Sequence, residues 1–335
     1  RPRTMEKAVP WVEKYRPKSM DDLVAHEEII GTINKLVDAN QLPHLLFYGP
    51  PGTGKTSTII ACAHRMYGKA YGAMVLELNA SDDRGIEVVR ETIKNFASTR
   101  QMFSNKPKLI ILDEADAMTS AAQMALRRVM EKFTKNARFC MICNYANKII
   151  PALQSRCTRF RFSPLSQAQA AARTKEIADA EKLNYTDEGI EACVLLGKGD
   201  MRRCLNVLQS TSMSAPAVTP ASVYQCTGQP QPQDIEAILK SLLEDDFASA
   251  CARLRDMSAR NGLALVDIVA ELHTYVVHLD CDPVMQMGMI VSLAMAERRL
   301  AVGTNERVQA AAVVGAFGDF RRALPAAAGA GRAIA

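Results

Sequence analysis

The sequence predicts an α/β protein: a parallel sheet flanked by helices, followed by two smaller all-helical parts. Three observations predict it. Between residues 44 and 163, short apolar runs alternate with segments of helical period, the pattern of buried strands joined by crossover helices. After Pro164 the strand pattern stops. Finally, "GPPGTGKT" (49–56) lies between the first apolar run and the first helical one, where a backbone cradle for phosphate belongs.

The expected strands are "HLLFYG" (44–49), "MVLELNA" (74–80), "KLIILDEA" (108–115), "ARFCMICN" (137–144) and the alternating "RFRFS" (159–163). The first four are continuous apolar runs bounded by polar or turn residues, as strands covered on both faces are. "KTSTIIACAHRMYG" and "SAAQMALRRVMEKF" carry apolar residues at helical spacing. Residues 164–227 read as several helices, with breaks near Asn184 and Tyr185, at 197–199 and at 216–220. "GQPQPQD" (228–234) reads as a linker. The rest is helical, including the amphipathic "DIEAILKSLLEDDFASACARLRDM", and the low-complexity tail "LPAAAGAGRAIA" is expected to fray. The expected domains are therefore 1–163, 164–227 and 228–335.

Composition bounds the function. Of 335 residues, 48% are hydrophobic and 23% charged, an ordinary soluble balance. No apolar run approaches the roughly 18 residues of a membrane span, and "RPRTMEKAVPWVEKYRP" shows no secretory apolar core. The first residue is Arg, not Met, so sequence upstream is expected. A net charge of +5 permits contact with a polyanion without demanding it. Nine scattered cysteines, an odd number, suit a reducing compartment better than a disulfide framework. Cys140 and Cys143 form a C-x-x-C, but on a strand that spacing puts them on opposite faces, so no metal site is expected.

The phosphate loop fits G-x-x-x-x-G-K-[ST] in the required context between a strand and a helix. Gly49, Pro50, Pro51, Gly52, Thr53, Gly54 and Ser57 are expected to bind the nucleotide: the glycines let the backbone N–H groups of the non-proline residues wrap phosphate oxygens, aided by the helix N-terminus. Lys55 would reach the β- and γ-phosphates of ATP, and the Thr56 hydroxyl would ligate Mg²⁺. Lys55 is expected to face ligand and so to contribute little to stability. "LIILDEAD" (109–116) supplies the other half: Asp113 ends a strand near the metal, and Glu114 follows to orient or deprotonate water. The competing reading of an Asp-Glu pair is a helix cap.

"GPPGTGKT", "DEAD" (113–116), "ICN" (142–144), "SRC" (155–157) and "GDMRR" (199–203), in this order and spacing, resemble the AAA+ ATPase subunits of clamp loaders. "VEKYRP" (12–17), "NASDDRG" (79–85) and "LQSRCTRFRF" (153–162) narrow the resemblance to the small subunits of eukaryotic replication factor C. It covers about residues 10–325 and is carried by motifs through residue 210. It implies an AAA+ domain, a small helical lid and an all-α collar used for oligomerisation. It also implies an ATPase active mainly within a nuclear hetero-pentamer, which opens a sliding clamp and loads it onto primer-template DNA. A different small subunit of the same or a related loader, or a mainly structural subunit, remains the alternative. A DEAD-box helicase is excluded by the lack of a "SAT" motif and of a second RecA-like domain.

The resemblance also implies residue roles. Asn144 matches sensor 1 and Arg202 matches sensor 2. Val12 and Arg16 match a segment lying against adenine and phosphates. Asn79 matches a residue that restrains Glu114. Arg156 matches an arginine finger acting on the neighbouring subunit's ATP, a role suited to a planar guanidinium. Arg84 and Arg90 match positions that follow duplex phosphates without reading bases, although Glu87 and Glu91 interleave as on a solvated face. In "FASTRQMF" (96–103), Met102 and Phe103 precede a polar stretch and are expected to touch the sliding clamp; core packing is the competing reading.

Overall fold

In the computed structural model, five strands form one sheet: β1 (Leu45–Tyr48), β2 (Val75–Asn79), β3 (Lys108–Asp113), β4 (Ala137–Cys143) and β5 (Thr158–Arg161). The order is β2-β3-β4-β1-β5, and every neighbouring pair is parallel. The structure describes residues 9–17, 19, 20, 22, 25–81, 87, 89–99 and 106–323. The expected α/β class and all five expected strands are present.

The order sets the position of the site. β1 lies two places from β3 with β4 between them, so the carboxyl ends of β3, β4 and β1 stand side by side. Ligands of parallel α/β sheets collect at such ends. The strands reach this arrangement because both faces are apolar. Leu46, Ile110, Leu112, Phe139, Met141 and Cys143 pack on one face, against Leu126 and Met130 of the helix Ser120–Phe133. Leu45, Phe47, Leu109, Ile111, Cys140 and Ile142 pack on the other, against Ile59 and Cys62 of the helix Lys55–Tyr67. The two-residue period of a strand makes this division, and it separates Cys140 from Cys143 as expected. All nine cysteines are free, and no metal-ligand cluster of His, Cys, Asp or Glu occurs among the described residues.

After β5 come the helices Gln167–Ala180, Asp187–Gly197 and Met201–Ser214. Their starts are set by local caps. Ser166 and Gln169 form a capping box, and Thr186 and Asp200 accept backbone N–H groups of the helices they precede. The chain divides into two compact units, Arg1–Val218 and Thr219–Ala335.

The second unit opens with the helix Pro220–Thr227; the helices Pro232–Glu244, Phe247–Asn261, Leu265–Val277, Pro283–Ala301 and Glu306–Ala323 surround a core of Ile235, Leu239, Ile268, Leu272, Leu293 and Phe317. The amphipathic stretch read as continuous is two helices. Asp246 accepts from Ala248 N and Ser249 N and starts a new helix, although the apolar period runs on through the break. No described helix is long and apolar enough to cross a membrane.

One buried histidine ties the start of the sheet together. His44 O accepts from Thr158 N at 2.8 Å, its Nδ1 accepts from Phe139 N at 3.1 Å, and its ring packs on Phe139. Burial lowers its pKa from 6.5 to about 4, helped by the Arg138 charge. The unfolded chain therefore binds a proton that the folded chain refuses. Stability is fully present above pH 6.5 and is lost as the pH falls toward 4, by about 3 kcal/mol from this group. His44→Gln, which does not titrate, should flatten that part of the profile. Denaturant unfolding of both chains across this range checks it; equal slopes would contradict the assignment.

Candidate nucleotide site

The loop after β1 is shaped by two close approaches. A Cβ at Gly49 (φ 144°) would meet Phe162 O at 2.0 Å, so a side chain there would strike the end of β5. At Gly52 (φ 69°) it would meet Asp200 Oδ1 at 1.6 Å. Only glycine tolerates both the left-handed backbone and the missing space. Asp200 caps the helix Met201–Ser214 by accepting from Arg202 N at 2.9 Å. The first residue of that helix, Met201, donates its N–H to Gly52 O at 3.3 Å. This helix N-terminus is thus docked on the loop.

Lys55 opens the next helix and is only 7% exposed. Its Nζ donates to Gly49 O and Pro50 O, both at 2.8 Å, and to Asn144 Oδ1 at 3.2 Å. Burial pulls its pKa down, while the Asp113 carboxylate works the other way. Lys55 lines the cleft, as expected, and it also bonds inward. It is a buried charge bonded to the loop's own carbonyls, and such a group carries large opposing desolvation and hydrogen-bond energies.

Thr56 Oγ1 donates to Asp113 Oδ2 at 2.8 Å, joining the two expected Mg²⁺ ligands across the helix and β3. Asp113 Oδ1 accepts from Glu114 N at 2.9 Å. Glu114 has φ 52°, an uncommon backbone for a non-glycine residue, costing on the order of 1–3 kcal/mol and concentrated at functional sites. It caps the turn Ala115–Ala117 and lies on the cleft wall. Asn79, paired with Asp113 across β2 and β3, accepts from Ser81 N at 3.0 Å.

These groups line a cleft of about 390 Å³, within the range of small-molecule sites. Of the residues expected to bind nucleotide, Val12, Arg16, Pro51, Gly52, Thr53, Gly54, Lys55, Thr56, Ser57, Asn144 and Arg202 line it, with Asp113 and Glu114. Gly49 and Pro50 instead hold Lys55 with their carbonyls. The N-terminal segment reaches the cleft because it is fastened to the later helices. Trp11 N donates to Gln209 Oε1 at 3.1 Å, and Lys14 Nζ and Tyr15 OH donate to Glu181 Oε1 at 2.5 and 2.6 Å.

Sequence reasoning missed Tyr15, Gln169, Arg173, Ile177 and Leu205, which also line the cleft. Ile177 and Leu205 could have been found as apolar positions on their helices; Arg173 carries no motif signal. The set fits ATP with Mg²⁺. Thr56 and Asp113 offer hard oxygen ligands, and Arg16, Lys55, Arg173 and Arg202 place four cations around one cleft that the loop opens.

Arg156 does not line this cleft. It lies beyond the short helix Pro151–Gln154 with its side chain 36% exposed. Next to it Cys157 packs against the sheet-face cluster, and burial pushes its thiol up to about 12 despite the Arg156 charge. Arg84, Met102 and Phe103 lie outside the described residues, as does the Arg90 side chain; the Arg90 backbone lies in the helical turn Val89–Ile93.

Residues 45–165 match the family model described as "ATPase family associated with various cellular activities (AAA)". The fold and the site define an AAA ATPase. A second model, "Replication factor C C-terminal domain", matches residues 230–316. Replication factor C subunit 5 of Homo sapiens is 53% identical over 310 residues, 92% of this chain and 91% of that one. Replication factor C subunit 3 of Saccharomyces cerevisiae is 51% identical over 315 residues, 92% and 93% of the two chains. A solved structure of the Thermotoga maritima RuvB Holliday junction branch migration motor has a TM-score of 0.53 at 16% identity, covering 80% of this chain and 93% of its own. At that identity the likeness is one of fold alone. The chain belongs to the replication factor C family of clamp-loader ATPase subunits.

Lys55→Ala should weaken ATP binding by the isolated chain at least about 100-fold, the scale of two lost charge-assisted hydrogen bonds. Titration calorimetry reads it directly, and unchanged affinity would remove Lys55 from the site. The same variant should also shift the unfolding midpoint, since Gly49 O and Pro50 O lose their donor.

Proposed function

We propose that this chain binds ATP with Mg²⁺ in its own cleft and hydrolyses it mainly within a nuclear hetero-pentamer with other replication factor C subunits. That assembly opens a sliding clamp and loads it onto primer-template DNA. The observation that carries the reading is a division of labour. Lys55, Thr56, Asp113, Glu114, Asn144 and Arg202 converge on one cleft, while Arg156 stands outside it and exposed. A site complete except for its finger, in a chain whose finger points elsewhere, suits hydrolysis shared between neighbours.

Each residue then has a task. The loop N–H groups and Lys55 bind and orient the phosphates. Thr56 and Asp113 would hold Mg²⁺, which would supply positive charge to offset that of the phosphates. Glu114 orients the attacking water and takes its proton. Asn144, already bonded to Lys55, positions that water or the γ-phosphate. Val12 and Arg16 lie against adenine and phosphates, and Arg202 brings the lid to the nucleotide. Asn79 restrains Glu114 until DNA is bound. We assign 1–163 to the AAA+ domain, 164–227 to the lid and 228–335 to the oligomerisation collar. The two family matches, at 45–165 and 230–316, support this division. Met102 and Phe103 are the clamp contacts, and Arg84 and Arg90 the DNA contacts.

A mainly structural role is disfavoured because Lys55, Thr56, Asp113 and Glu114 are all present and face one cleft. Arg156→Ala should leave ATP binding by this chain intact and slow hydrolysis at an adjacent subunit. Fingers supplied in trans are worth roughly 10³ to 10⁵ in rate, diluted in a mixed pentamer by sites that keep working. Site-specific variants in a reconstituted complex separate the cases. Loss confined to this chain's own site would refute the trans role.

Each phosphate contact contributes about one unit to the slope of log K against log salt. Arg84→Ala/Arg90→Ala should therefore lower that slope by about two units in the ATP-bound complex. An unchanged slope with unchanged DNA-stimulated hydrolysis would rule out both contacts.

A further inference from the structure

Arg156 is held in place by its own chain. Nη2 donates to Glu131 Oε1 at 2.5 Å, and Nη1 donates to Ala152 O at 2.7 Å. Glu131 lies near the end of the helix Ser120–Phe133, whose inner face is locked into the core by Leu126 and Met130. Its carboxylate is therefore carried by a rigid element. Arg127 Nε, one turn earlier on the same helix, donates to the same Oε1 at 3.1 Å. The two guanidiniums, Arg127 first, hold the Glu131 carboxyl below its usual range. A guanidinium has five N–H donors in a fixed fork. Two of its three nitrogens are engaged on the chain, and among the described residues Nε has no acceptor. An arginine fixed at two points, with donors to spare, loses less freedom on meeting a phosphate than one that must be ordered from solution.

We propose that Glu131 is a positioning residue for Arg156: its carboxylate fixes the guanidinium so that the unused N–H donors meet the neighbouring subunit's phosphate in one orientation. This rests on the trans reading of Arg156 and assigns a residue outside every motif of the nucleotide site. Glu131 does not line this chain's own cleft, and its bond to Arg156 is the route through which it would act.

That route makes it testable in the complex reconstituted with the other subunits. Three forms of this chain are compared with the natural one: Glu131→Ala, Arg156→Ala and the double variant. The readouts are kcat and KM for ATP at the adjacent site, ATP binding at this chain's own site, and the melting temperature. Glu131 is half-exposed on a helix where Ala is favourable, so folding and own-site binding should persist. Glu131→Ala should lower the neighbour's kcat about tenfold with KM unchanged, less than the loss of the finger itself. The double variant should be no slower than Arg156→Ala alone, because the two residues act as one unit. A natural rate in Glu131→Ala, or a double variant slower than Arg156→Ala by the full single-variant factor, would overturn the inference and leave the trans finger standing. A neighbour's rate untouched by Arg156→Ala would instead overturn the trans reading, and this inference with it.

Discussion

One buried ammonium holds the site together. Lys55 Nζ bonds two carbonyls of the loop after β1 and the carboxamide that ends β4. Those segments are adjacent only because β1 pairs with β4 in parallel. A cation with so little water around it needs acceptors or anions close by, and the loop curls to supply them. The curl in turn requires Gly49 to pass beneath Phe162 O and Gly52 to pass beside Asp200. The strand order brings these segments together, and the glycines and the docked helix N-terminus let the loop close around one positive charge.

The residues of the cleft and Arg156 obey different physics. Within the cleft, groups distant in sequence converge from rigid strand ends, and burial strengthens their interactions. The Thr56–Asp113 bond spans 57 residues of chain and needs two secondary elements in register. Arg156 and Glu131 form an ion pair at the surface, of a kind that contributes little to stability. Its value lies in orientation.

Much of this was legible in the sequence. The five strands announced themselves because a strand buried on both faces admits almost no polar residue, and the phosphate loop because its glycines have no substitute. The chemistry at the strand ends, Asp113, Glu114 and Asn144, could be placed once the strands were. What could not be read depends on contacts between distant segments. Nothing in "GKT" says that Lys55 bonds its own loop, and nothing in "DMRR" says that Met201 N–H meets Gly52 O. Arg173 reaches the cleft only because its helix packs there. The left-handed Glu114 is set by the turn that follows it. The helix break at Asp245 and Asp246 had a local signal, an acidic pair before an apolar run, but the continuing apolar period masked it.

The cysteine beside Arg156 has a chemical consequence. Cys157 follows an exposed arginine, a setting that ordinarily sharpens a thiol into a nucleophile. Here the sulfur packs against the apolar cluster, and burial pushes its pKa up to about 12, away from the thiolate form. The triplet "SRC" can therefore expose the Arg156 charge while keeping its thiol against the core.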